Sequence, residues 1–564
     1  MNNDGISHLT RRKFLISGSA VVLRGSAALR ARSQSTTSYV EVETRYGRVR
    51  GVQGSGLVMF KGIPYGGSVS GVNRFKAAPP LKPWTGVRDA LEFGPPALQQ
   101  NNRTRPNLSE DCLVLNIWTP AADGHKRPVM FYNHGGGFVT GSAAAPYQDG
   151  GNLARTWDVV VVATNHRLGL MGYLYLGDLG GEEYATSGNQ GLEDIRDGMK
   201  WVHENIERFG GDPNNVMIFG ESGGGAKTSC LYAMPSAASY FNKASIESGP
   251  GIRIMPRETA ASTAIMLLKQ LGLDQSDWRK LLEIPAEKLI DAQLALGQNR
   301  SAGPLTPGGG RRGMSGNANP GGFGPVLDGH LMPTHPFDPV APAISKSKPL
   351  MVGYNRDEMN FFIAQNGAAE IYALTEDTLK ARLEREYGVN GARIFEAYRK
   401  SRPDASPGEL YVAIGTARFA VTGSTTIAER KAAQHGAPVF AYCFTHESQR
   451  LLPGTQHIYG AAHAGEIVYK FNNVPSPNGA APSQSSSAGA VYGDSEKASI
   501  QAAHNMSELW STFARTGHPA AKGQPAWPPY DTAKRSTMFI DAECRVVDDP
   551  FALERQLWDQ IDPA

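Results

Sequence analysis

Val216-Met217-Ile218-Phe219-Gly220-Glu221-Ser222-Gly223-Gly224 decides how this chain is read. Four apolar residues in a row, without polar alternation, mark a strand buried on both faces. The run passes straight into Gly-x-Ser-x-Gly, and Ala226 to Ala233 then reads as a helix. A strand, a sharp glycine turn and a helix, in that order, lift a serine hydroxyl clear of a sheet and face it with a helix N-terminus. The five-residue pattern alone says little: in 564 residues with 64 glycines, roughly half a match is expected by accident. Its setting is what makes Ser222 a candidate nucleophile.

Working outward, Val129 to Tyr132, Val159 to Ala163 and Leu350 to Val352 are further short apolar runs that end in turn residues. Between them, Gly191 to Arg208 carries Leu192, Ile195, Met199, Val202 and Ile206 at helical spacings of three and four. Strands alternating with helices predict an α/β fold with a central, mostly parallel sheet and helices on both faces. Tyr39 to Phe60 alternates instead, which predicts an exposed antiparallel hairpin at an edge. Stretches of about 257–345 and 368–435 are helix-rich without matching strands and are expected to form helical insertions or a cap. Residues 301–322 and 475–489, rich in Gly, Ser, Ala and Pro, read as surface loops, with a lid over a cleft as the functional alternative.

A serine nucleophile needs donors for the oxyanion it creates. His134-Gly135-Gly136-Gly137-Phe138 follows the strand at 129–132, and successive glycines can aim bare N–H groups at one oxygen. Gly136, Gly137 and Gly223 are the expected donors, each typically worth about 10²- to 10³-fold in rate. A phosphate-binding loop is the rival, but neither Gly-Lys-Ser/Thr nor Gly-x-Gly-x-x-Gly continues the motif.

Composition bounds the function class. The chain is 41% hydrophobic and 19% charged with a formal charge of +3, enough for a large core. The positive excess sits in residues 1–34, where Arg11, Arg12, Lys13, Arg24, Arg30 and Arg32 face Asp4 alone. The remainder is slightly acidic, which removes the main argument for a nucleic-acid partner. Thr10-Arg11-Arg12-Lys13-Phe14-Leu15, followed by a short, interrupted apolar run, looks like a twin-arginine export signal. Residues 1–34 are therefore expected to be an export signal read by the twin-arginine machinery, and 35–564 the enzyme domain, periplasmic or secreted. No later stretch is long and apolar enough to span a membrane. Cys112, Cys230, Cys443 and Cys544 lack metal-ligand spacing and are expected to be mostly buried thiols, with at most one bridge.

From about Val40 onward the chain resembles the type B carboxylesterase family of α/β-hydrolases, which includes cholinesterases and p-nitrobenzyl esterases. The resemblance rests on Phe60-Lys61-Gly62-Ile63-Pro64-Tyr65, Ser109-Glu110-Asp111-Cys112-Leu113, Asn165-His166-Arg167-Leu168-Gly169, Phe209-Gly210-Gly211-Asp212-Pro213 and Gly220-Glu221-Ser222-Gly223-Gly224. It is dense to about Gly249 and patchy afterwards. It implies a triad in the order Ser, acid, His. The motif after Leu350-Met351-Val352-Gly353 places the acid on Glu358, with Asp357 as alternative. Ala461-Ala462-His463-Ala464-Gly465-Glu466 resembles the family's histidine motif, so His463 is the expected base and His457 the runner-up. The resemblance also implies that Glu221 favours imidazolium on His463 and that Ser248 hydrogen-bonds the triad acid.

Three departures from the family pattern stand out. Cys112 lacks its usual partner, because none stands in Pro96-Ala97-Leu98-Gln99-Gln100. Gly223 replaces the alanine usual after the nucleophile. The loop Gln99 to Leu108 carries no tryptophan to hold quaternary ammonium by cation–π attraction, so choline esters are disfavoured. The expected activity is hydrolysis of small carboxylic esters through an acyl-enzyme, with no metal or organic cofactor. Arg103 and Arg105 in that loop motivate a second reading, a hydrolase of anionic or polycarboxylic esters. A third, from another class, is a non-catalytic binding protein of the same fold.

Overall fold

A computed structural model of the chain describes residues 38–100, 107–298, 322–474 and 497–562. The leader, Arg103 and Arg105, residues 301–321 and the Ser-rich stretch 475–489 lie outside them.

Thirteen strands form one sheet among the described residues. They are β1 (Ser38–Thr44), β2 (Gly47–Gly54), β3 (Leu57–Pro64), β4 (Val87–Asp89), β5 (Val114–Thr119), β6 (Arg127–Asn133) and β7 (Val160–Thr164). They continue as β8 (Gly211–Glu221), β9 (Lys243–Glu247), β10 (Leu350–Asn355), β11 (Val439–Phe444), β12 (Thr537–Ile540) and β13 (Arg545–Val547). The spatial order is β1-β2-β3-β5-β7-β6-β8-β9-β10-β11-β12-β13, with β4 beside β2. From β7 to β12 every neighbouring pair is parallel, while β1, β2, β3 and β5 pair antiparallel at one edge, where β4 lies parallel to β2, and β13 pairs antiparallel at the other.

Alternation in the parallel strip explains its unbroken apolar runs. Val129, Phe131, Ile218 and Ile246 enter one core, and Met130, Tyr132, Met217 and Phe219 enter another on the opposite face. Each face is covered by helices. Helix α1 (Gln190–Asn205) turns Leu192, Ile195, Met199 and Val202 inward. Helix α2 (Gly223–Ala233) is buried at every position, as expected of a helix packed between sheet and outer elements.

The second helix-rich stretch is helical, but the first is helical only over 257–298: residues 322–345 are mostly turns and include a short strand, Val326–Leu327, paired with Met255–Pro256 against the expectation of helices without strands. Helices α3 (Arg257–Gln270) and α4 (Ala286–Gln298) belong to the first. Helices α5 (Met359–Asn366), α6 (Glu376–Tyr387), α7 (Gly391–Ser401), α8 (Pro407–Thr416) and α9 (Thr422–Ala432) belong to the second, which begins earlier than its pattern indicates. All four cysteines are buried and unpaired. No helix among the described residues is long and apolar enough to cross a membrane. Ser222, Glu358 and the glycine loop all follow the carboxyl ends of parallel strands, where open α/β sheets gather their ligands.

Candidate active site

Ser222 sits at φ 58°, ψ −123°, a strained backbone for a residue with a Cβ. Its neighbours hold it there. Its N–H donates to Glu247 O at 2.8 Å, and its carbonyl accepts from Ala226 N at 3.1 Å. Two glycines make room: a Cβ on Gly249 would lie 1.8 Å from Ser222 O, and one on Gly220 2.6 Å from Asn133 O. The strain exposes the hydroxyl at the start of α2.

Glu358, fully buried, follows β10. Its Oε1 accepts from Asn355 N at 2.8 Å and its Oε2 from His463 Nδ1 at 2.7 Å. A carboxylate can only accept, so Nδ1 carries the imidazole proton. Nε2 is then free to accept from Ser222 Oγ, 2.9 Å away. Ser222 and His463, 241 residues apart along the chain, and Glu358, 105 residues before His463, thus form one hydrogen-bonded relay.

Neither alternative reaches it. Asp357 pairs with Arg356 and accepts from Ala461 N at 3.0 Å, while His457 stacks on Tyr372 at 4.1 Å. Both line a separate cleft of about 480 Å³ that none of Ser222, Glu358 or His463 borders.

Glu221 is also buried, and its Oε1 lies 3.3 Å from His463 Nε2 with no hydrogen bond of its own. Burial raises the Glu221 carboxyl above its usual range, opposed chiefly by His463. For His463, burial works against the charge, but the carboxylates of Glu221, Glu358 and Glu466 outweigh it and raise the imidazole above the usual histidine range. Glu221 thus stands at Nε2 and Glu358 at Nδ1 of the same imidazole.

The glycine loop closes the site from the other side. Gly136 and Gly137 adopt φ 91° and 62°, and Gly136 O accepts from Thr140 N at 3.0 Å. Gly223 offers the first N–H of α2, which has no intrahelical acceptor. A Cβ on Gly223 would lie 2.2 Å from Gly137 O. The absence of the usual alanine there is thus what lets this loop approach so closely.

Ser248 corrects the sequence reading. Its Oγ is buried without a hydrogen-bond partner, and Glu358 is satisfied by His463 and Asn355 instead. The backbone turns left-handed at Ser248 (φ 48°), where its N–H donates to Gly353 O at 2.9 Å; the side chain is not delivered to the acid.

Sequence reasoning missed an aromatic wall. Phe361, Phe362 and Phe419, all half-buried, bring their ring centroids within 5.6, 5.1 and 4.9 Å of His463. Phe361 and Phe362 stand three and four residues beyond Glu358, a helical spacing that a pattern search could have used. Phe419 lies in a π-helical stretch, Ala417–Val421, whose irregularity no simple period reveals.

The chain matches the model of the carboxylesterase family over residues 38–558. It is 34% identical over 523 residues to the para-nitrobenzyl esterase of Bacillus subtilis, covering 91% of this chain and 97% of that protein. It is 31% identical to the fumonisin B1 esterase of Sphingopyxis macrogoltabida, covering 90% and 87% of the two chains. The crystal structure of a carboxylesterase from Geobacillus stearothermophilus superposes with a TM-score of 0.77 at 36% identity, covering 92% of this chain and 99% of that one.

Proposed function

The chain belongs to the type B carboxylesterase family of α/β-hydrolases, an ester-hydrolysing family, and from that premise we propose a serine mechanism centred on Ser222. The observation that carries the reading is the unbroken relay from Ser222 Oγ through His463 to Glu358, at 2.9 and 2.7 Å.

His463 Nε2 takes the hydroxyl proton as Ser222 Oγ bonds to the ester carbonyl carbon. The carbonyl oxygen becomes an oxyanion facing the N–H groups of Gly136, Gly137 and Gly223. Glu358 holds the imidazole in its Nδ1–H tautomer and stabilises the imidazolium. His463 then returns the proton to the alcohol oxygen as the carbon–oxygen bond breaks, and the alcohol leaves. Water repeats the sequence on the acyl-enzyme, releasing the acid and restoring Ser222.

The wall of Phe361, Phe362 and Phe419 favours esters with an apolar group beside the reacting carbonyl. The twin arginines at Arg11 and Arg12 support export to the periplasm or medium. Ser222→Ala tests the mechanism: hydrolysis of p-nitrophenyl esters should fall by about four orders of magnitude or more, and retention of most activity would remove Ser222 from the reaction. Replacing Arg11 and Arg12 by lysine tests export: activity should move from the periplasmic to the cytoplasmic fraction, and an unchanged distribution would refute the signal.

A further inference from the structure

Lys227 stands five residues after Ser222 on α2, wholly buried, in a place where a lysine is costly. No carboxylate among the described residues pairs with it. Its Nζ donates to one oxygen, His134 O at 3.0 Å, and otherwise faces the Phe138 ring, 5.8 Å from its centroid. Burial alone, with no compensating charge, pulls the ammonium down to about 7.

The surroundings do not soften this position. His166, wholly buried, stacks on His134 at 4.5 Å. Burial first, then the charge of Lys227, depresses the His166 imidazole, so it is a neutral neighbour. A buried cation with no anion destabilises the resting fold unless something negative forms nearby.

The acceptor it holds is informative. His134 opens the run Gly135-Gly136-Gly137, and Asn133, one residue earlier, donates from its side chain to Thr228 Oγ1 at 3.0 Å. Successive residues of α2 thus grip successive residues at the entrance of the glycine loop. The same loop packs on the nucleophile: a Cβ on Gly135 would lie 3.5 Å from Ser222 Cβ.

We propose that Lys227 is a positioning residue of the oxyanion site, whose ammonium fixes the His134 carbonyl and supplies the positive charge behind the glycine loop that the resting protein leaves unmatched. An oxyanion on the loop favours the protonated lysine, and by reciprocity the protonated lysine favours the oxyanion. The donor to the His134 carbonyl is already in place when the negative oxygen forms, and the oxyanion draws the lysine into its charged form. This inference rests on the acyl-transfer reading and deepens it.

An alkyl trifluoromethyl ketone and the matching methyl ketone test it. Ser222 Oγ adds to the trifluoromethyl ketone carbon, its proton passes to His463 and the carbonyl oxygen becomes an oxyanion; the methyl ketone binds without a stable adduct. In Lys227→Met, kcat and trifluoromethyl ketone affinity should fall together by roughly tenfold, less than the ~10²-fold or more expected of a donor that touches the oxyanion. KM and methyl ketone affinity should stay within twofold. Lys227→Gln keeps a donor for His134 without the charge and should lose nearly as much; it also decides the matter if the Met variant does not fold. Wild-type kcat and ketone selectivity in either folded variant, or a change confined to KM or melting temperature, would overturn the proposal. If the wild-type protein itself did not prefer the trifluoromethyl ketone, the acyl-transfer reading would fail, which is a separate result.

Discussion

Glu221 and Glu247 end neighbouring parallel strands and face each other in register, yet their surroundings differ in kind. Both are buried. Glu247 has a full set of partners: the Lys470 ammonium on Oε2, and Trp510 Nε1 at 2.6 Å and Ser245 Oγ at 2.8 Å on Oε1. Glu221 has one oxygen without a hydrogen bond, turned towards His463. Identical side chains one strand apart thus serve opposite ends. The paired carboxylate knits β9 to the helix α10 (Lys497–Thr516) and to the segment that carries Lys470. The other meets only the imidazole through that oxygen, so the ionisation of Glu221 and that of the base are linked, and burial tunes a base instead of locking a core.

Removing each partner in turn should separate these roles. The largest effect belongs to the relay: Glu358→Gln, which keeps the shape but no longer fixes the tautomer, should lower kcat by about 10⁴-fold at unchanged stability. A loss below tenfold in ester assays would remove Glu358 from the triad. Next comes the paired glutamate. Lys470→Met leaves Glu247 as a buried charge without its cation and should lower unfolding free energy by about 3–5 kcal/mol in denaturant titrations, whereas equal stability would show that the pair does not hold the core.

Glu221→Gln should do the reverse, changing a pH profile more than a melting curve. The anion raises the His463 pKa, and the base works only when neutral, so activity is present above that pKa and lost as pH falls through it. Without the anion the pKa falls, and the acid limb of kcat/KM should move to lower pH; a limb that stays in place would show that Glu221 does not act on His463. The smallest effect is expected at the wall: Phe362→Ala should raise KM for an apolar aromatic ester about fivefold, with a short acetate ester nearly unaffected.

What could be read in advance follows the range of the interactions. The parallel strip was legible because burial on both faces leaves unbroken apolar runs such as Val216 to Phe219, and the edge hairpin because β1 and β2 alternate. Ser222 and the glycine loop were legible because strained turns demand glycine at fixed neighbouring positions. Glu358 and His463 needed the family resemblance, since any of several acids and histidines could occupy a loop and only the folded chain brings these two to Ser222. Lys227, the Glu247–Lys470 pair and Phe419 gave no signal. Each depends on a partner far away in sequence, or on a helix irregularity, and a buried lysine looks like a surface lysine until its surroundings are known. Ser248 was misread for the related reason that a motif gives a position without the backbone turn that aims the side chain.

The most direct test is covalent trapping. After reaction with a dialkyl organophosphate, intact-mass and peptide mass spectrometry should find one phosphoryl adduct per chain, on the hydroxyl of Ser222, and none on the folded Ser222→Ala variant. An adduct on any other residue accompanying loss of activity, or full inhibition of the variant by the same reagent, would contradict the account.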